Sequence, residues 1–418
     1  MPIRRPRGPK PALRHIAFLE ASEREKEGSG ERRSLEAAFL TLRLLDHWMA
    51  LGAEVASPTA QVFAATRDAV SALDDDPEMR TSLTGITDAI AMLQDPDAQP
   101  LLPRVFAFGG LLEHRGSLAL AADVYETVSR YVETRTHFDL AFDAYMKQAF
   151  CYRTIGELDR AERGYETAGA LAARTRDRVR VLYSRIGSAK IAWSRGDLPA
   201  ADKALQEIAA EAESLGDARL HAVSLHDCGS IARLRNDLPR AVRQVFEAYK
   251  RTTDESEKER VLLDLGGFLA QTGAFGTARS AMLVLEHGAR AQEMRWSAKI
   301  NLMDLAALEG SEPVFEGYLR ELDSQPLPAR QRLGYLHDAA KGLARFGRTK
   351  DAHALAAKGS ELATAVGMHQ IQFMFVGLTN EIDRIAAEHS RNRPAPSQAP
   401  DDIAATVEDL LRATSLAV

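Results

Sequence analysis

Histidine, cysteine and acidic residues are the side chains of this chain that could form a catalytic or metal centre. Glu-His neighbours occur at Glu113–His114, Glu286–His287 and Glu388–His389, and Cys228 follows His226 by two residues. Adjacent positions on a helix point about 100° apart, so none of these pairs can by itself grip a metal ion or form an acyl-transfer dyad. No zinc-spaced set, phosphate-binding loop or nucleophile motif accompanies them. We therefore predict a protein that is not an enzyme and that uses no cofactor and no metal.

The two cysteines predict neither a disulfide framework nor a redox centre. Cys151 and Cys228 each lie on an apolar stripe at helical spacing, and the sequence has no Cys-x-x-Cys pair. Two cysteines are too few to form a disulfide framework that stabilises a fold of 418 residues. We interpret both as small residues of a helical core.

A periodic pattern indicates the elements that would have to position any site. The segment GELDRAERGYETA, residues 156–168, has close variants whose turn positions are 40, 40, 40, 37, 37 and 37 residues apart. A period of this size is typical of helical repeat proteins. Glycine, or asparagine in its place, provides the positive φ that a tight turn between two helices needs. The equivalent turn positions are Gly116, Gly156, Gly196, Asn236, Gly273, Gly310 and Gly347.

Each unit of the pattern predicts an antiparallel helix hairpin. Five residues after the turn the residue is alanine in every unit except one, which has Phe315. Seven residues before the turn the side chain is mostly small, which would let two helices approach closely. We call this the small-residue position. In chain order it is occupied by Gly109, Ala149, Ala189, Gly229, Gly266, Met303 and Ala340. Because Met303 and Phe315 belong to the same unit, we expect irregular packing there.

The pattern resembles the tetratricopeptide repeat. The best-matching unit has the residue types typical of that family at Ala149, Tyr152, Gly156, Ala161, Tyr165 and Ala168. The resemblance covers residues 101–387, and the period exceeds the usual 34 residues of the family. It implies an all-α fold, a right-handed superhelical solenoid of antiparallel helix hairpins with extended helices. Longer repeats of this kind occur in family members that serve as sensor or regulatory arrays.

In an array of this kind the first helix of each hairpin lines the concave side. Positions 13, 10, 6 and 3 before each turn share a face that differs from the packing stripe. Mixed aromatic, basic and polar side chains on that face suit peptide recognition. The rule also selects Asp143, Ile186 and Val223. The candidate peptide-binding residues are Met146, Phe150, Arg153, Tyr183, Lys190, Trp193, His226, Ser230 and Arg233.

Two other interpretations of these residues stay open. Extended helices could bury Phe150 and Trp193 between neighbouring units, and solvated arginine or lysine side chains need no function. Some members of the family hold the C-terminal carboxylate of heat-shock chaperones with lysines and asparagines on these helices. The selected positions contain no asparagine, and Lys190 is their only lysine. Binding of chaperone tails is therefore not expected.

Charge and hydropathy exclude several partner classes. With 53 Lys and Arg against 59 Asp and Glu, the formal charge of −6 offers no general attraction to nucleic acid or to an anionic membrane, and it slightly favours basic partners. No apolar run approaches the roughly 20 residues of a membrane span. The N-terminus has basic residues but no apolar segment of the secretory type. We predict a cytoplasmic protein whose oligomeric state the sequence does not determine.

Composition divides the chain into five segments. Residues 1–32 are rich in proline and charge and predict a mobile tail, in which Arg4, Arg5, Arg7 and Lys10 serve solubility. Residues 33–100 predict a helical cap that could be one degenerate repeat. Residues 101–390 predict about seven hairpins and a cap helix, and residues 391–401 a proline-rich linker. Residues 402–418 predict a short amphipathic helix.

The last helix needs something to bind, because a helix this short is marginal in isolation. Its apolar stripe consists of Ile403, Val407, Leu410 and Leu411. We expect it to dock on an apolar groove of this protein or of a partner. An internal docking site could be the same groove that binds a partner.

These observations favour a protein-protein interaction scaffold or adaptor that binds a peptide or helix of a partner in the concave groove. A regulatory sensor array, which would bind a small molecule or signalling peptide and control a partner, is the alternative. The partner and its pathway cannot be read from the residues.

Overall fold

The computed structural model describes residues 14–51, 58–92, 99–366, 368–388 and 395–417. Within these ranges the chain is helical and contains no strand. The predicted all-α fold is therefore confirmed. Contacts divide the chain into two compact units, unit 1 with Met1–Arg176 and unit 2 with Asp177–Val418. The basic residues at positions 4, 5, 7 and 10 lie outside the described residues.

Unit 1 contains a set of N-terminal helices followed by two of the predicted hairpins. Helices that follow one another in the chain pack against each other. The helices are α1 (Ile16–Arg24), α2 (Gly30–Leu51), α3 (Pro58–Ser71), α4 (Pro77–Met92), α5 (Leu102–His114), α6 (Leu118–Tyr131), α7 (Phe138–Thr154) and α8 (Leu158–Arg174).

Unit 2 contains the remaining five hairpins and two further helices. The first helices of its hairpins are α9 (Arg178–Ser194), α11 (Ala218–Leu234), α13 (Glu255–Gln271), α15 (Gln292–Glu309) and α17 (Ala329–Arg345). The second helices are α10 (Leu198–Ser214), α12 (Leu238–Arg251), α14 (Phe275–Gly288), α16 (Glu312–Asp323) and α18 (Thr349–Ala365). The last two helices are α19 (His369–Glu388) and α20 (Asp401–Ala417).

The turn residues confirm the predicted hairpins. All seven turn positions have positive φ, from 62° at Asn236 to 91° at Gly156. Aspartates start several of the helices, as when the side chain of Asp217 accepts a hydrogen bond of 2.8 Å from the amide of Leu220. The hairpins have the tetratricopeptide-like form that the repeat pattern implies.

The small-residue position marks the closest approach of the two helices in a hairpin. A Cβ atom added at Gly229 would lie 2.5 Å from the side chain of Val245, and one added at Gly266 would lie 2.5 Å from that of Met282. Each of these larger residues stands nine positions after the turn, on the second helix of the same hairpin. Because glycine has no side chain, it leaves a space at this position, and a larger side chain of the facing helix fills that space.

The hairpin of α15 and α16 accommodates its larger residues by a different contact. Phe315 is fully buried, as is Met303. A Cβ atom at Gly342 of α17 would overlap the Phe315 ring, and that ring is also tilted against Phe346 at 5.3 Å between centroids. The Phe315 ring therefore packs against Gly342 of the following hairpin.

The prediction of a mobile tail up to residue 32 is wrong from residue 14 onward. Helix α1 forms inside that segment, and its Phe18 is fully buried and lies 6.5 Å from the ring of Phe108. His15, just before the helix, is 2% exposed and contacts carboxylates of α2 and α6. Tertiary contacts hold this segment, which explains why its polar composition was misleading. The other predicted segment boundaries remain predictions.

The C-terminal helix docks on unit 2. Ile403 and Val407 of α20 are 0% and 1% exposed in the core cluster that includes Phe275 and Met282 of α14. Asp402 accepts a hydrogen bond of 2.6 Å from Arg243 of α12. Because α12 and α14 are second helices, α20 does not lie on the face of the first helices that was the candidate groove for a partner.

Candidate binding surface

Six of the nine candidate residues lie on the first helices of unit 2. We call this region the first-helix surface and define it by side chains of α9, α11, α13, α15 and α17. Its members are Tyr183, Lys190, Trp193, His226, Asp227, Ser230, Arg233, Asp264, Asn301 and Asp338.

Lys190 is paired and not freely solvated. Its Nζ lies 2.9 Å from Oδ2 of Asp227 on the next first helix, and the two side chains are 27% and 12% exposed. Asp227 was not among the predicted site residues. An ion pair of low exposure positions both side chains and fixes the spacing of the two helices at this point.

His226 makes the equivalent contact one helix further on. Its Nε2 lies 2.7 Å from Oδ2 of Asp264, and the side chains are 12% and 41% exposed. A carboxylate can only accept a hydrogen bond, so Nε2 of the imidazole carries the proton. Asp264 is the more exposed member of this pair. Its carboxylate therefore faces solvent from a position that the contact with His226 fixes.

Arg233 lies over an aromatic ring. Its guanidinium carbon is 5.5 Å from the ring centroid of Phe268 on α13, and Phe268 is 5% exposed. This cation–π contact, of the order of 1 kcal/mol, orients the guanidinium. Ser230, one turn earlier on the same helix, is half-buried.

Four polar residues form a ladder along the first helices, one on each of α11, α13, α15 and α17. They recur every 37 residues, nine positions before the turn. Asp227 is the least exposed, whereas the side chains of Asp264 and Asp338 are 41% and 27% exposed. We call Asp227, Asp264, Asn301 and Asp338 the polar ladder. The sequence contained this signal, but the positions chosen before each turn did not include the ninth.

Tyr183 and Trp193 are half-buried and pack against the core cluster of α9 to α11, which includes Leu182, Leu205 and Ile231. The interpretation that extended helices bury Trp193 is therefore partly right. Each ring still keeps some accessible area, and such rings can act as anchors for a ligand.

The other three candidates lie in unit 1. Met146 and Phe150 are half-buried on α7. The guanidinium carbon of Arg153 lies 5.6 Å from the Phe150 ring centroid, and its side chain also contacts the hydroxyl of Tyr165. Burial raises the pKa of Tyr165, an effect that Arg153 partly offsets. These three residues form a separate group within unit 1, and their role in binding remains a prediction.

Neither a metal-binding cluster nor a reactive thiol accompanies these surfaces within the residues that the structure describes. That part of the chain holds no group of three His, Cys, Asp or Glu side chains that could bind a metal ion. Burial raises the pKa of the Cys151 thiol and of the Cys228 thiol to about 12, so both stay protonated and unreactive. None of the described helices is long and apolar enough to cross a membrane.

Replacing Lys190 by methionine is expected to destabilise unit 2 by about 1 to 3 kcal/mol, because Asp227 would keep a mostly buried charge without its partner. Urea unfolding would measure the change. Lys203→Met on α10, where the lysine is exposed, is the matched control and should change the free energy of unfolding by about 0.5 kcal/mol or less. The double variant with Asp227→Asn should recover part of the loss. Equal effects of the two single variants would contradict a structural role for the pair.

Comparisons with known proteins found several solved structures of low sequence identity. No family model matches the chain, and no curated protein matches it. A solved structure of the Rap conjugation gene regulator of plasmid pLS20, in complex with the Phr* peptide, is 15% identical and covers 85% of this chain and 98% of its own, with a TM-score of 0.48. A Rap protein complexed with Competence and Sporulation Factor is 13% identical over 85% of this chain and 99% of its own, with a TM-score of 0.43.

A third solved structure is larger than this chain. It is a signal transduction ATPase with a tetratricopeptide repeat sensor, PH0952 from Pyrococcus horikoshii. That protein is 12% identical, and the match covers 93% of this chain and 55% of that one, with a TM-score of 0.36.

Proposed function

We propose that this chain is a non-enzymatic interaction scaffold that binds an extended peptide segment of a partner protein on the first-helix surface of unit 2. The observation that carries the proposal is the polar ladder, which presents one hydrogen-bonding side chain from each of four consecutive first helices. The proposed compartment is the cytoplasm, and the proposed ligand is neither nucleic acid nor membrane.

The spacing of the ladder suits an extended peptide. The ladder provides one polar side chain per first helix, and an extended chain advances about 3.3 Å per residue. A peptide that crosses the first helices would therefore meet one ladder side chain at each helix, several residues apart. The carboxylates of Asp264 and Asp338 can accept hydrogen bonds from peptide N–H groups, and the amide of Asn301 can both donate and accept.

Charge and aromatic area define the class of peptide. The three ladder carboxylates outnumber Lys190 and Arg233, the two fixed cations of the first-helix surface, so the surface favours basic side chains and amide donors. Tyr183 and Trp193 add rigid, partly apolar contact area at one end of the same surface. We infer a peptide that combines a basic or amide-rich stretch with an apolar anchor.

A phage-displayed library of random peptides, followed by calorimetry with the selected synthetic peptide, would test the proposal. Asp264→Ala and Asn301→Ala are each expected to weaken the selected peptide by about tenfold, because each removes an accessible ladder group. Asp409→Ala on α20, where the aspartate side chain is 73% exposed, should leave the affinity unchanged.

The melting temperatures of all three variants should stay close to that of the unmodified protein, since the altered side chains are at least partly exposed. Selected peptides that bind Asp264→Ala and Asn301→Ala as tightly as the unmodified chain would remove the polar ladder as the site. Failure to select any peptide would remove the peptide-binding scaffold itself.

An open surface groove in unit 2 supports the alternative function, a regulatory sensor of a small molecule. Its volume is about 630 Å³, within the range of ligand pockets. Arg332 and Lys358 line it together with the acidic Asp323 and Glu361, and Leu336 is among its apolar lining residues. Stabilisation of the protein by a small zwitterionic compound, lost in Arg332→Ala, would favour the sensor.

A further inference from the structure

Two of the three basic side chains of the first-helix surface meet a carboxylate of the next first helix. Lys190 pairs with Asp227 at 2.9 Å, and His226 contacts Asp264 at 2.7 Å. The third is Arg233, which has no carboxylate partner among the residues that the structure describes. Arg233 therefore carries a positive charge that no ion pair of the described residues balances.

The residues of α13 that face Arg233 explain why it is unpaired. Its guanidinium carbon lies 5.5 Å from the ring centroid of Phe268. The positions six and three before the turn on α13 are Gly267 and Ala270. Neither of these residues has a side-chain oxygen, so neither can accept a hydrogen bond from the guanidinium.

Arg153 of α7 has the same place in its own hairpin and does find a polar partner. Both arginines stand three positions before their turn and lie over a phenylalanine ring. Arg153 also contacts the hydroxyl of Tyr165, which stands nine positions after its turn. The equivalent residue in the hairpin of α11 and α12 is Val245. Arg233 therefore lacks the internal partner that its counterpart has.

The contact with Phe268 leaves the hydrogen-bonding edge of the Arg233 guanidinium available. A guanidinium is planar, and its five N–H donors lie along its edge. The aromatic ring interacts with its face, while the edge can donate two parallel hydrogen bonds to one carboxylate. Because Arg233 is half-buried and already oriented, it loses little conformational freedom when a carboxylate binds.

Two polar atoms without a partner accompany this guanidinium. Ser230 lies one turn before Arg233, and its hydroxyl makes no hydrogen bond within the described part of the chain. On α15 the side-chain nitrogen of Asn301 donates to the carbonyl of Ser297 at 2.9 Å. Its Oδ1 lies on the side of Gly267, 3.7 Å from the place of an added Cβ atom. A hydroxyl and an amide oxygen thus remain available to a ligand.

We propose that Arg233 is a specificity-determining residue that binds a carboxylate of the peptide through two parallel hydrogen bonds. The hydroxyl of Ser230 donates to the same carboxylate, and Oδ1 of Asn301 accepts a peptide N–H group beside Gly267. The inference rests on the proposed function and deepens it, because it adds a carboxylate to the basic or amide-rich stretch and the apolar anchor. An acidic side chain and the C-terminus of a peptide can both supply this group.

Four mixtures of synthetic random peptides would test the proposal and identify the source of the carboxylate. One mixture has acidic side chains and free C-termini, the second only the acidic side chains, the third only the free C-termini, and the fourth neither. The immobilised full chain captures peptides from each mixture, and mass spectrometry identifies them. Capture that requires acidic residues assigns the carboxylate to a side chain, and capture that requires a free terminus assigns it to the C-terminus.

Calorimetry with a captured peptide would measure the contribution of Arg233. Replacing the recognised carboxylate by a carboxamide should weaken binding to the unmodified protein by about tenfold. In Arg233→Met the acid and amide forms should bind equally, because methionine can still cover Phe268 but has no charge. Arg233→Lys should keep only part of the preference, since an ammonium group lacks the planar fork of donors.

Arg320→Met on α16 is the matched control, because Arg320 is an exposed arginine on a second helix of the same unit. This variant loses the same charge and should keep the tenfold preference for the acid form. The acid and amide forms are compared within each protein, so any loss of stability in a variant affects both measurements alike.

Three outcomes would overturn the proposal. Equal affinity of the acid and amide forms for the unmodified protein would remove the carboxylate from recognition. A preference that survives in Arg233→Met would place the carboxylate elsewhere. Peptides captured equally from all four mixtures would leave the scaffold function intact and remove the role of Arg233, whereas failure to capture any peptide would remove the scaffold function as well.

Discussion

Replacing Gly273 by alanine is expected to detach the C-terminal helix, whereas the same change at Gly347 is expected to cost only backbone strain. Both are turn glycines with similar positive φ, 86° and 77°. A Cβ atom at Gly273 would overlap the carbonyl oxygen of Ala395, while one at Gly347 would meet nothing within 4 Å. The two substitutions therefore differ in the contact with the C-terminal segment.

The segment at Gly273 is held by backbone and side-chain hydrogen bonds. The amide of Ser397 donates to the carbonyl of Gly273 at 2.9 Å, and its hydroxyl donates to the carbonyl of Thr272 at 2.8 Å. Displacing Ala395 would break these bonds and withdraw Ile403 and Val407 from the core. The anchor for α20 thus depends on a turn residue that lies more than a hundred positions earlier in the chain.

The expected magnitudes separate the two effects. A non-glycine residue at positive φ costs about 1 to 2 kcal/mol in either turn. Exposing two large apolar side chains costs roughly 1.5 to 3 kcal/mol each, so Gly273→Ala should lose about 3 to 6 kcal/mol more than Gly347→Ala. Amide hydrogen exchange of residues 395–417 should become rapid only in Gly273→Ala.

A second background tests the cause. Ile403→Asp places a charge in the core cluster and should detach α20 by itself. In that background Gly273→Ala and Gly347→Ala should cost the same free energy of unfolding, because the clash with Ala395 no longer matters. Protection of α20 in Gly273→Ala equal to that in the unmodified protein would show that the turn does not hold the tail.

The parts of the fold that were predictable from the sequence are those set by local geometry. A turn needs positive φ, and a close helix pair needs a small side chain, so the period of Gly156 and its equivalents located the hairpins. Residue type and spacing are sufficient where the interaction lies within one hairpin.

The parts that were not predictable depend on partners distant in the sequence. Residues 14–32 have the composition of a tail, yet Phe18 reaches Phe108 and His15 reaches Asp123, which lies 108 positions later. The stripe of Ile403 and Val407 predicted that α20 docks but could not locate the cluster that receives it. No local pattern encodes these long-range contacts.

The candidate binding surface was predictable only in part from the sequence. Lys190 and His226 were predicted from the repeat register, but their partners were not, because each carboxylate stands at the ninth position before its own turn. The recurrence of Asp227 and Asp264 at 37 residues was visible in the sequence. Its meaning came from the structure, where each carboxylate meets a basic side chain of the preceding first helix.

Replacing Asp46 by alanine is expected to destabilise unit 1 by about 3 to 5 kcal/mol, the usual cost of removing one member of a buried charged pair. Asp46 is 5% exposed, and its Oδ1 accepts a hydrogen bond of 2.7 Å from the hydroxyl of Tyr131. Its Oδ2 lies 3.3 Å from Nε2 of His15, and Arg14 approaches to 3.3 Å. The variant would leave His15 and Tyr131 without this acceptor.

The same network predicts how stability depends on acid. Burial alone would raise the pKa of Asp46, but hydrogen bonds from His15 and Tyr131 and the charge of Arg14 outweigh it and lower the pKa to about 2, from an ordinary value of 3.8. A carboxylate with a lowered pKa stabilises the fold above pH 3.8 and loses that contribution as the pH falls towards 2. The difference in stability between the unmodified protein and Asp46→Ala should therefore shrink over this interval.

His15 predicts a loss on the alkaline side. Burial lowers the pKa of His15, but hydrogen bonds to Asp123 and Asp46 outweigh this and raise it above the ordinary value of 6.5. A group with a raised pKa contributes fully below pH 6.5 and loses its contribution as the pH rises through the pKa of the folded state. His15→Gln should remove this alkaline loss and also weaken the acid loss, because His15 is the main group that lowers the pKa of Asp46.

Urea unfolding at a series of pH values would measure both effects. Asp74→Ala is the control, because Asp74 is 83% exposed and pairs with Arg80 at the surface of the same unit, so it should change the free energy of unfolding by about 1 kcal/mol or less at every pH. A cost for Asp46→Ala no larger than that control would mean that the network does not hold α1. Stability that stays constant as pH rises in the unmodified protein would show that His15 is not protonated between its two carboxylates. Together the acid and the alkaline measurements determine whether α1 is held by charged contacts or only by the apolar contact of Phe18.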